Sequence, residues 1–128
     1  MPSYLFDTNG AIAWLARSEV LNLVIHSASR VYQSSIVLGE LHYGAEKSQQ
    51  VMRNLQRIDQ IAREFSILNC DQETARIFGR VKARLAKLGR PVSPNDNWIA
   101  AIAIQYGLTL LTRDADFGAV DGLATQSW

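Results

Sequence analysis

The sequence predicts an α/β protein built on a mainly parallel sheet of four to five strands flanked by helices. Three observations carry that prediction. Short apolar and β-branched runs alternate with stretches of helical apolar spacing along the chain, the pattern of successive βα units. The strand-like runs all end in polar residues, three of them with an aspartate within three positions: Asp7, Asp71 and Asp114. No repeat, low-complexity tract or Pro/Gly-rich linker interrupts the 128 residues, which are therefore read as one domain, 1–128.

The first strand, Tyr4-Leu5-Phe6, runs straight into Asp7-Thr8-Asn9. In open α/β sheets ligands bind beyond the carboxyl ends of the strands, so a carboxylate there is a candidate for chemistry. It is equally a candidate helix cap. Helical spacing follows over Ala11 to Ala16 and Val20 to Ile25, broken around Arg17-Ser18-Glu19, which predicts two short helices. Val31 to Gln33 is the second strand, with Ser34-Ser35 as its polar end and the next N-cap. The helix from about Ile36 to Lys47 turns Val37, Leu41 and Gly44/Ala45 inward, with Glu40 beside that face. Val51, Leu55, Ile58, Ala62 and Phe65 form the seam of a further helix, with Arg53, Arg57 and Arg63 on other faces.

Ser66-Ile67-Leu68 is a short third strand, after which Asp71 is placed to cap a helix from about Gln72 to Leu88. That helix has an inner seam at Thr74, Phe78, Val81, Leu85 and Leu88, and a basic stripe at Arg76, Arg80, Arg84 and Lys87. The stripe is either a solvated face or a track for phosphates. Gly89 ends the helix, and Ser93-Pro94-Asn95-Asp96 opens another, with Ser93 as N-cap and Pro94 at the first helical position. Its continuation to Tyr106 is apolar nearly all round, as in a buried helix. Leu108 to Leu111 is the fourth strand, Thr112 to Asp116 its polar end, and the region around Leu123 offers a last short strand.

Composition excludes several functions. The hydrophobic fraction of 48% belongs to a chain that packs a core rather than a disordered one. A formal net charge of +1 gives no overall signature for nucleic acid. Cys70 is the only cysteine, so there is neither an internal disulfide nor a cysteine zinc cluster. The start of the chain does not read as a signal peptide, and Trp98 to Ile104 is too short an apolar run to span a bilayer, so a cytoplasmic protein without membrane contact is expected. The two histidines, His26 and His42, lack zinc-site spacing, and the scattered glycines form no phosphate-cradling loop. Neither a nucleophile elbow nor a partner base for one is recognisable.

Oxygen ligands remain. Carboxylates that share a cleft repel one another unless a cation neutralises them, and carboxylate and water ligands suit Mg²⁺ or Mn²⁺. Such ions activate water and stabilise the leaving oxygen of a phosphodiester. Asp96 fits this set from the first turn of the buried helix, although an acid there also favours the helix on its own account.

These residues carry more than spacing. Leu5 to Asn9, Ser34 to Leu41 with Tyr43 to Ser48, Gly89-Arg90-Pro91 through Asp96 and Ile99-Ala100-Ala101, and Leu111 to Phe117 follow in order along the chain. Together they resemble the PIN-domain nucleases, and within them the VapC toxins of VapBC toxin–antitoxin pairs. The resemblance implies a Mg²⁺- or Mn²⁺-dependent endoribonuclease acting on structured RNA such as tRNA or rRNA. It places the metal-binding acids at Asp7, Glu40, Asp96 and Asp114, with Asp116 as a less defined outer ligand and Thr8, Asn9 and Thr112 as supports. Helix-cap duty at the first strand would then fall to Thr8 or Asn9. A homodimer and a VapB-type antitoxin whose tail blocks the cleft are further implications. With two helices between the second and third strands, and again between the third and fourth, strand parity alone does not bring Glu40 and Asp96 to one edge; their convergence is taken from the resemblance. The alternative is a nucleic-acid-binding regulator of the same fold that acts on DNA with a partner and cuts little. An aspartyl-phosphate protein fits poorly, because Asn9 stands two after Asp7 and no lysine follows the last strand.

Overall fold

The computed structural model describes residues 1–128. Its centre is one five-stranded sheet, all parallel, in the order β3-β2-β1-β4-β5. The strands are β1 (Ser3–Phe6), β2 (Arg30–Ser34), β3 (Ser66–Leu68), β4 (Thr109–Leu111) and β5 (Thr125–Gln126). Leu5 pairs with Tyr32 on one side and Leu110 on the other, so β1 is the middle strand. Leu5, Phe6, Leu110 and Leu111 are fully buried there, as strands covered on both faces require.

Six helices flank the sheet: α1 (Thr8–Leu15), α2 (Glu19–His26), α3 (Ser35–Glu46), α4 (Val51–Glu64), α5 (Gln72–Lys87) and α6 (Pro94–Tyr106). The buried character predicted for α6 is borne out, with Ile99 to Ala103 fully inaccessible. Its alanines let it lie close to its neighbours, and Phe78 of α5 stacks on Trp98 at 4.0 Å. Ser93 caps its start, and Gly107 ends it in the left-handed conformation (φ 65°) that glycine adopts without Cβ strain.

The structure shifts several details. In α4 the buried residues are Ile58 and Ile61, while Ala62 is exposed, because the larger apolar side chain takes the inner position. Arg57, on another face than the seam, is half-buried and donates to the Leu15 carbonyl at 3.1 Å. Phe65 packs edge-on against Phe6 and Trp14. In α5, Ile77 rather than Phe78 joins the deepest layer, and Leu88, the C-cap beyond the last turn, is exposed. The last strand lies at Thr125–Gln126 rather than around Leu123, because the turn after Val120 carries the chain two residues further before Leu110 is reached.

The two-helix crossovers settle how distant acids meet. In a parallel sheet every connection must return from the carboxyl edge to the amino edge. Helix α4 ends directly before β3 and α6 directly before β4, so these two make the return crossings. That leaves α3 at the carboxyl edge where β2 ends, and brings the first turn of α6 to the same edge.

Candidate active site

At the end of β1, Asp7 is extended (φ −80°, ψ 179°) and caps α1, its Oδ1 accepting from the Gly10 N–H at 2.7 Å. The cap expected of Thr8 or Asn9 thus belongs to Asp7 itself, which sits directly before the helix with the backbone geometry of an N-cap. Its own N–H donates to the Leu111 carbonyl at 3.2 Å, tying it to the neighbouring strand β4. Thr8 instead holds a second acid: its hydroxyl donates to Oε2 of Glu40 at 2.7 Å. Asn9 is exposed.

Asp96, half-buried in the first turn of α6, donates its N–H to the Ser93 hydroxyl at 3.2 Å. Beyond β4, the buried Thr112 hydroxyl accepts from the Asp114 N–H at 3.0 Å. Asp114 in turn accepts from the Asp116 N–H at 2.9 Å, capping a 3₁₀ turn over Ala115–Ala119. Asp116 is exposed, beyond the charges that act on Asp7 and Asp96.

Electrostatics links four of these acids. Burial raises the Asp7 carboxyl above the usual carboxylate range; hydrogen bonding from Thr112 and Gly10 opposes this, and the charges of Asp114 and Glu40 add to it. Asp96 is raised as well, by burial first, with Ser93 opposing and Asp114, Glu40 and Asp7 adding. The structure therefore brings Glu40 and Asp114 within reach of both Asp7 and Asp96. Asp71, which also follows a strand, stands apart. Its carboxylate caps α5, accepting from the Thr74 N–H at 3.1 Å and from Gln105 Nε2 at 2.9 Å, and these bonds hold its pKa low.

Glycine at position 10 is the site residue that sequence reasoning missed. A Cβ there would lie 3.2 Å from Asp7 Oδ1 and 3.5 Å from both the Leu111 carbonyl and the Phe6 side chain. The available signal was a glycine three residues after a candidate N-cap, a position whose N–H the cap must bond.

Two clefts meet at Glu40. One, of about 260 Å³, runs between α1, α3 and α4, lined by Ile12, Leu15, Leu41 and Ile58 with Asn54 and Arg57. The other, of about 510 Å³, lies between α3 and the start of α6, lined by Tyr43, Lys47, Ser93, Pro94 and Asn95. The basic stripe reaches neither cleft. Arg76 pairs with Glu73 and Arg84 with Asp121 at 3.6 Å, leaving Arg80 and Lys87 as its unpaired members. His26 and His42 are exposed.

The donor set is all carboxylate, which suits a hard divalent cation. No three Asp, Glu, His or Cys side chains close into a preformed cage. An open set of repelling carboxylates fits Mg²⁺, which keeps several waters and takes only one or two carboxylates directly. Residues that could hold it are Asp7, Glu40, Asp96 and Asp114.

A parallel α/β sheet that gathers acids from four separate elements at its carboxyl edge defines an acid-lined α/β domain. The comparisons specify it: the PIN domain family model matches residues 4–123, and the chain belongs to that family. It is 37% identical to Ribonuclease VapC2 of Haemophilus influenzae and to the tRNA(fMet)-specific endonuclease VapC of Shigella flexneri, in each case across 100% of this chain and 99% of the relative. Among solved structures it is similar to the DNA-bound VapBC complex of Salmonella typhimurium, with TM-score 0.91, 35% identity and coverage of 100% of this chain and 99% of that one.

Proposed function

We propose that this protein is the toxin of a VapBC-type toxin–antitoxin pair, a Mg²⁺- or Mn²⁺-dependent endoribonuclease that hydrolyses phosphodiester bonds in structured RNA such as tRNA or rRNA. The observation that carries the reading is the convergence of charge on Asp7 and Asp96, both raised first by burial and then by the carboxylates of Asp114 and Glu40, which a divalent cation relieves. Asp7, Glu40, Asp96 and Asp114 would hold the ion, which when bound activates water and stabilises charge on the departing oxygen. The protein's part is orientation. Gly10 fixes Oδ1 of Asp7, Thr8 fixes Oε2 of Glu40, and Ser93 and Thr112 anchor the backbone at Asp96 and Asp114.

The endonuclease of Shigella flexneri is named for tRNA(fMet), which makes tRNA the first substrate to test. The Salmonella typhimurium relative is solved as a VapBC complex, and a VapB-type antitoxin is the partner assigned here. The apolar cleft of Ile12, Leu15, Leu41 and Ile58, opening onto Glu40, is a seat for such a partner's segment. A homodimer is part of the same reading, and no helix is long and apolar enough to cross a membrane. A second reading, a DNA-acting regulator that cuts little, draws on the DNA in that same complex. The full set of four acids, maintained against its own repulsion, favours cleavage.

The test is incubation of the purified chain with tRNA and rRNA in Mg²⁺, Mn²⁺ or chelator, with new 5′ ends mapped. Cleavage that needs the ion and disappears in Asp7→Asn is expected. Wild type that cuts nothing, or a variant that cuts equally well, overturns the proposal.

A further inference from the structure

Tyr43 is an aromatic residue that α3 does not use for packing. The helix turns Val37 and Ala45 into the core, while Tyr43 is 67% exposed. Three residues after Glu40 it lies one turn along the same side of the helix, about 5 Å away along the axis. Both residues line the larger cleft, opposite Ser93 and Pro94, which lead into Asp96. The Lys47 ammonium lies 4.8 Å from the centre of the Tyr43 ring and forms no ion pair. An exposed ring with an unpaired cation against it, on a wall shared with a phosphodiester site, is the combination that holds single-stranded nucleic acid: the ring stacks a base and the cation meets a phosphate.

We propose that Tyr43 and Lys47 seat the nucleotide flanking the scissile bond, Tyr43 stacking an unpaired base and Lys47 contacting its phosphate. This rests on the endoribonuclease reading and adds to it the requirement that the substrate present an unstacked base, as in an RNA loop, beside the cut. Lys47 lies over one face of the ring, so the base takes the other. Charge complementarity selects the occupant: Glu40 is the one acid lining the cleft and Lys47 the one cation, so Lys47 is where a phosphate is held.

The experiment uses the full-length chain and two readouts. In the first, an Asp7→Asn background, in which cleavage is slowed, is titrated with a short single-stranded RNA carrying one 2-aminopurine. Stacking quenches the probe; Tyr43→Phe retains the quench, and Tyr43→Ala loses it while binding about 5- to 150-fold more weakly. Lys47→Gln lowers the slope of log affinity against log salt by about one. In the second, with Asp7 intact, Tyr43→Ala raises KM for RNA cleavage with little change in kcat, and Tyr43→Phe restores it. Wild type that cuts no RNA sinks the endoribonuclease reading itself. Wild type that cuts while Tyr43→Ala matches it in KM and quench sinks the stacking proposal alone. Loss of binding that merely follows a change in oligomeric state, read by light scattering, also overturns it, because the ring would then belong to a contact between copies.

Discussion

Asp7 and Asp71 occupy the same local position, just past the end of a parallel strand and capping the helix that follows, yet they are opposite in character. Asp7 is buried, lies in the field of other carboxylates and has its pKa raised. Asp71 is exposed, bonded by Thr74 and Gln105, and has its pKa lowered. The difference comes from the sheet. From β1 the chain builds outward through β2 to β3, then returns to place β4 on the other side of β1, so β1 and β4 flank the point where the strand order reverses. That is where open α/β sheets leave a crevice. Asp7 and Asp114 end those two strands, whereas Asp71 ends the outermost one. One cap motif thus stands in an acidic crevice at the reversal and in a hydrogen-bonded, exposed setting at the edge.

The largest expected effect would break the comparison if it failed. Asp7→Asn keeps a good N-cap but removes a charge, so RNA cleavage falls by about 10²-fold or more while the fold persists. Asp71→Asn leaves cleavage at the wild-type rate in the same gel assay. Next is Gly10→Ala, whose new methyl would crowd Asp7 Oδ1. A cleavage loss of about 10-fold is expected with little change in melting temperature, because alanine's helix preference offsets the strain.

The pH response sharpens the contrast. Between the ordinary carboxylate pKa of about 4 and the raised values of Asp7 and Asp96, the folded protein binds more protons than the unfolded chain. Metal-free stability from these two groups therefore falls as pH rises through that window and stays lower at neutral pH. Asp71 has the opposite sign, adding stability above its ordinary pKa and losing it as pH falls through its lowered one. Differential scanning fluorimetry at neutral pH should show Mg²⁺ raising the wild-type melting temperature and raising that of Asp7→Asn much less. Metal-free Asp7→Asn should already melt higher than metal-free wild type. The smallest effect is a modest drop in melting temperature for Asp71→Ala, unaltered by Mg²⁺.

Much of this was legible in the sequence because helix and strand periods differ and caps have a chemistry. Ser34, Asp71 and Ser93 cap the helices assigned to them, and α6 is buried as its apolar surround requires. Less legible was anything set by tertiary competition. Ile61 displaced Ala62 in α4 because the core takes the larger apolar surface. The two-residue β5 carries almost no periodic signal. Asp7 and Asp71 could not be separated locally, since only strand order distinguishes them. Gly10 escaped notice because its role is the absence of an atom.

The four acids come from β1's end, α3, the start of α6 and β4's end, at positions 7, 40, 96 and 114. No contiguous piece much shorter than the chain contains them all, and β4 must insert beside β1 before Asp114 meets Asp7. During synthesis, then, the cleft is completed only after the segment holding Asp114 has emerged from the ribosome. A nascent chain carrying only the first three acids still lacks the fourth, so the order of the strands sets the moment at which the acidic cleft is complete.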